Sequence, residues 1–151
     1  MRGTWARAGV AMGLAGSIAA CSPEKPVAPR IDLQPILYFD VTRNKLYGSG
    51  CNFVPANGGM GAVFLALATR GLIKLNDQIV AIPPAADAGP LPQGAHTHYA
   101  GPLYGITLVP EPGGKQKTLG VVSVFTGHLT VTDARGQTVY DATGDTQCKP
   151  M

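Results

Sequence analysis

The chain has 151 residues, 45% hydrophobic and 14% charged, with 12 Lys and Arg against 9 Asp and Glu for a formal charge of +3. It contains no run of Lys and Arg and no basic patch interleaved with aromatics, so nucleic acid is excluded as an expected partner. No stretch beyond residue 20 approaches 18 uninterrupted apolar residues, so no membrane-spanning helix is expected there.

The first seven residues carry Arg2 and Arg7 without an acid, and Ala8 to Ala20 is a run of small and apolar residues broken only by Gly and Ser17. That pattern is the basic and apolar part of an export signal; as a helix the run would be about 20 Å long, against a hydrocarbon core of about 30 Å. The run ends Ile18-Ala19-Ala20-Cys21, which resembles the lipobox of bacterial lipoproteins: an aliphatic residue, two small residues and a cysteine. The resemblance implies that residues 1–20 are a signal peptide, removed by cleavage before Cys21. It also implies that Cys21 carries a diacylglyceryl group on its sulfur and an acyl chain such as palmitate on its new amino group. Ser22 in place of Asp implies the outer membrane, facing the periplasm.

Residues 21–30 hold Pro23, Pro26 and Pro29 and read as an extended tether. Removing residues 1–20 takes away two basic residues and no acid, so the formal charge falls to +1. The rest, residues 31–151, suits a single domain.

Ile31 to Phe39 reads as a strand with Pro35 marking an edge or bulge, and Leu46 to Val54 as its hairpin partner. Pro55 to Gly61 is a glycine-rich loop, and Ala62 to Thr69 suits either a buried strand or two turns of helix, with strand the preferred reading. Leu72 to Leu75 and Gln78 to Ile82 flank Asn76-Asp77, two residues that tolerate the positive φ of a type I′ hairpin turn. Pro83 to Thr97 is a long loop rich in Pro, Gly and Ala.

Tyr104 to Val109, Thr118 to Phe125 and His128 to Asp133 read as strands, separated by a turn-rich excursion over Pro110 to Lys117. Asp133 to Gly136 closes a turn into Gln137 to Asp141, and Gly144 to Cys148 forms the last segment. The expectation is an all-β domain, a small antiparallel barrel or sandwich of seven to nine short strands.

With Cys21 assigned to lipid, Cys51 and Cys148 form an even pair in a compartment that permits disulfides. A bridge is the leading reading; two buried free thiols or a metal pair are the alternatives, and no His or Cys stands at CxxC-like spacing to complete a zinc site.

Ser49 lies in Gly48-Ser49-Gly50-Cys51, which lacks the Gly-x-Ser-x-Gly elbow of a serine nucleophile. Glu24 and Glu111 are the only glutamates, and the aspartates mostly occupy turn positions, so a paired-carboxylate glycosidase is not expected. Gly58-Gly59-Met60-Gly61 and Gly113-Gly114-Lys115 lack phosphate-loop spacing and read as turns. His96 and His98, with His128 from another segment, are three imidazoles of a type that holds zinc or copper.

The run Gly94-Ala95-His96-Thr97-His98-Tyr99, with the size, anchor, barrel and terminal cysteine, is similar to small envelope lipoproteins that inhibit lysozyme. The Ser-Gly pair of their inhibitory loop is absent, so the resemblance implies the architecture alone.

The functional expectation is therefore a non-enzymatic binding module for an envelope protein or glycan, held to the membrane by N-terminal lipid. It has no cofactor or metal, and its candidate binding residues are His96, His98 and Tyr99. A structural or assembly role in the envelope and a metal-binding periplasmic protein are the alternatives.

Overall fold

The computed structural model describes residues 21–23 and 29–150, so the expected signal peptide and the middle of the tether lie outside the described residues. The clearest local signal in the chain forms as expected. Asn76 and Asp77 take φ of 49° and 61° and join β3 (Gly71–Leu75) to β4 (Gln78–Ile82). The ambiguous segment before them is strand β2 (Phe64–Leu67), paired on one side with β3 and on the other with β1 (Gly50–Pro55).

The second half of the sheet consists of β5 (His98–Ala100), β6 (Tyr104–Pro110), β7 (Gln116–Leu119), β8 (Val122–Asp133) and β9 (Thr138–Lys149). The nine strands, paired antiparallel throughout, run in the order β4-β3-β2-β1-β9-β8-β6-β5, with β7 also paired to β8. The ends of this path approach each other. Pro84 bridges Tyr99, Ala85 N donates to His98 O at 3.0 Å, and Ala100 N donates to Pro83 O at 2.9 Å.

Prolines at 83 and 84 have no N–H to donate, so the Pro83 carbonyl and the Ala85 N–H carry this nearly closed seam while β4 itself ends at Ile82. The result is a small all-β barrel. Its interior is filled by Phe53, Phe64, Tyr99, Ile106, Leu108, Leu129 and Val131, all fully buried, as in narrow barrels generally.

Close approach of strands explains two glycines. A Cβ at Gly50 would run into the Ala66 carbonyl, and one at Gly144 into the Val54 carbonyl, so β1 lies tightly against both neighbours. Across the same pairing, Cys51 stands opposite Cys148 and the two form a buried disulfide spanning 97 residues of chain.

Several expected boundaries move. The strand expected over Thr118 to Phe125 is broken by a turn at Gly120, φ 60°, into β7 and β8. The two expected C-terminal segments fuse into β9, which at 12 residues equals β8, so these two strands are not short. β6 and β7 pair in succession along one edge of β8, with Pro110 opposite Gly127 and Gln116 opposite Phe125; residues 111–115 loop out between them.

The largest departure is at the start. No strand forms over Ile31 to Phe39, because both edges of β1 are taken by β2 and β9 and no ladder remains for a hairpin partner. Instead residues 31–36 cross one end of the barrel. Ile31 N donates to Val139 O, Gln34 N to Lys74 O and Ile36 N to Ala62 O, at 2.8–3.0 Å, while Leu33 drops into the core.

The chain then turns into helix α1 (Tyr38–Asn44). Asp40, at its third position, accepts from Leu37 N at 2.8 Å, satisfying an N-terminal donor. Lys45 stops the helix in the left-handed region, and Leu46 N donates back to Val41 O at 2.9 Å. Leu46 and Val41 thereby join Ile36, Leu67 and Leu72 in a second, smaller apolar cluster on the outside of the barrel.

Candidate functional site

The candidate loop Pro83 to Tyr99 is packed rather than projecting. Pro90 bridges His96, Leu91 and Ala95 are buried, and the chain reverses in a tight turn closed by Ala95 N donating to Pro92 O at 3.3 Å, with Gln93 and Gly94 at positive φ. Tyr99 points into the barrel, where its ring meets Phe64 edge-on at 5.6 Å. Its hydroxyl donates to Leu67 O at 2.7 Å and accepts from His96 N at 3.1 Å. Burial pushes this phenol up to about 12. Tyr99 therefore braces the loop from inside and presents no surface to a partner.

The three histidines go to different neighbours. His96 Nε2 lies 2.9 Å from Ala68 O, and His98 Nδ1 lies 3.3 Å from Asp87 Oδ1. His128 is held between Glu111 Oε2 and Asp141 Oδ2, each at 3.0 Å. These contacts raise the His128 pKa above its ordinary value, the Asp141 hydrogen bond contributing most. Among the described residues no three His, Cys, Asp or Glu side chains are grouped to hold a metal ion. Glu111, one of the chain's two glutamates, and Asp141 thus serve His128.

Cys21 is exposed, and Ser49 lies one residue before β1. Among the described residues no helix is long and apolar enough to cross a membrane.

A different feature stands out beneath α1. A groove of about 540 Å³ opens on the outer face of the barrel, a volume within the range of small-molecule sites. Ile36, Val41 and Leu46 form its helix side, Leu65 and Leu67 contribute apolar lining from β2, and Met60 and Ala62 come from the loop before that strand. Polar groups are few: Asn52 of β1 with Gln147 and Lys149 of β9.

Tyr38, 83% exposed, Tyr47, 57% exposed, and Met60, 98% exposed, also line it, and Phe39, 66% exposed, adjoins Tyr38 on the helix. The groove exists because α1 stands off the sheet on the apolar cluster of Ile36, Leu46, Leu67 and Leu72. Asp40 locks that position through Lys74 of β3.

Sequence patterning missed this site, since its walls are separate segments with no shared period. The available signal was the apolar triplet Leu37-Tyr38-Phe39 after Pro35, followed by Asp40 at a capping distance. Compared with known protein families, curated proteins and solved structures, the chain matches none.

Proposed function

We propose that this chain is a lipid-anchored, non-enzymatic binding protein of the cell envelope and that the groove beneath α1 is its binding site. The supporting observation is an open, mostly apolar groove walled by exposed Tyr38, Tyr47 and Met60, on a barrel whose interior is already filled by its own side chains. Polar groups at Asn52, Gln147 and Lys149 suit a ligand with an apolar body and a polar or anionic head. The anchor rests on the Ile18-Ala19-Ala20-Cys21 resemblance.

Photocrosslinking in whole cells tests the site. Leu65→p-benzoylphenylalanine places the probe in the groove, and Thr138→p-benzoylphenylalanine places it at the opposite end of β9 from Gln147 and Lys149. Adducts at position 65 and none at 138 are expected; equal labelling, or none at 65, overturns the assignment.

A further inference from the structure

The three exposed aromatic side chains among the described residues, Tyr38, Phe39 and Tyr47, all belong to α1 and the segment leaving it. Leu37, 54% exposed, and Met60 line the same groove as Tyr38 and Tyr47, and with Phe39 beside Tyr38 on the helix they make one apolar crest. A surface of this kind in water needs a partner.

Its charge is one-sided. Arg43 lies over the Phe39 ring at 5.9 Å from the centroid, Lys45 follows it at the helix stop, and Arg70 donates to Lys45 O at 3.3 Å. Lys149 lines the groove alongside. The acid on the helix itself, Asp40, is neutralised by Lys74 at 3.0 Å from each oxygen. Aromatic rings with aliphatic neighbours and a cationic rim are the composition that seats in the interfacial layer of an anionic bilayer.

We propose that this crest, Leu37, Tyr38, Phe39 and Met60 rimmed by Arg43, Lys45 and Arg70, is a membrane-docking face that lies on the lipid surface to which Cys21 is anchored. The inference rests on the anchor reading and adds an orientation to it.

Ten residue steps separate Cys21 from Ile31, which spans at most about 35 Å. A domain of this size has a radius of gyration of about 14 Å, so the tether keeps it within roughly its own diameter of the lipid. At the effective concentration this imposes, a patch too weak to bind vesicles alone orients the domain. The groove mouth, framed by Tyr38, Tyr47 and Met60, then opens at the lipid surface.

The chain supplies its own probe strategy. Its single tryptophan is Trp5, in the segment expected to be removed. In the processed, lipidated protein a Phe39→Trp variant therefore has one indole, on the crest; Thr138→Trp is the control. Each is reconstituted into vesicles of phosphatidylcholine with phosphatidylglycerol and followed by emission wavelength and quenching by doxyl lipids, with circular dichroism verifying the fold.

The Phe39→Trp indole is expected to shift to the blue and to be quenched by shallow doxyl groups, while the Thr138→Trp indole stays as in buffer. Adding Arg43→Glu and Lys45→Glu to Phe39→Trp is expected to abolish the shift. Protein that floats with vesicles while the Phe39→Trp emission stays as in buffer overturns the docking face and leaves the anchor standing. Protein that does not float overturns the anchor, and the docking face with it.

Discussion

Lys74 Nζ of β3 lies 3.0 Å from both carboxylate oxygens of Asp40 in α1, with the two side chains 13% and 15% exposed. The same carboxylate accepts from Leu37 N at the helix start, so one residue both caps α1 and pins it to the barrel. The Leu37 N–H and then Lys74 hold the Asp40 carboxyl below the usual carboxylate range. Its contribution is therefore present above the ordinary carboxylate pKa and is lost as pH falls through the lowered value. Asp40→Ala removes the cap and the ion pair together and is expected to cost about 1–2 kcal/mol in urea unfolding. In the same variant, amide exchange should quicken across Tyr38–Asn44 and not across β8.

His128 gives the opposite pH sign. Because Asp141 and Glu111 raise its folded pKa, the imidazolium stabilises the barrel below the unfolded value of about 6.5, and this stability is lost as pH rises through the raised value. Thermal midpoints measured across that window should decline for the native protein and stay flatter for His128→Gln. An equal decline in both would assign the dependence to another group.

Tyr99→Phe keeps the ring and removes one hydroxyl, leaving Leu67 O and His96 N without that partner. A cost of about 1–3 kcal/mol is expected, with faster exchange at residues 91–97. In the native protein, ultraviolet titration should show one phenol ionising near about 12, and that phenol should vanish in Tyr99→Phe.

The Cys51–Cys148 bond joins β1 to β9 and constrains 97 residues of chain. A Cys51→Ala, Cys148→Ala variant should lose about 2–5 kcal/mol, mainly by freeing the unfolded chain. Native-like circular dichroism at low temperature is expected, since the β1 and β9 ladder persists without it.

Thr146 is fully buried in β9, and its Oγ1 has no hydrogen-bond partner. Thr146→Val replaces that hydroxyl with a methyl of similar size, so stability should rise by up to about 1 kcal/mol in denaturant unfolding. A loss instead would show that the hydroxyl is satisfied in solution.

Turn chemistry and alternation were legible in the residues themselves. Asn76-Asp77 sets a hairpin by the φ values it tolerates, Leu129 and Val131 turn inward by period two, and Asp133 to Gly136 returns the chain. These signals act between residues close in sequence and therefore survive in any fold that contains them. They establish the β class and most of the strands, and the even cysteine pair made a bridge the leading expectation.

Only the tertiary structure decided what lies next to what. Ile31 to Phe39 has the composition of a strand, yet β1 already has two neighbours, so residues 31–36 cross the barrel end and Tyr38–Asn44 coils on the outside. Asp40 meets Lys74 across 34 residues, and His128 meets Glu111 and Asp141 from separate segments. Such contacts follow from which sheet edges remain free once the barrel nearly closes. That competition leaves no periodic trace in the chain, and it is what created the groove.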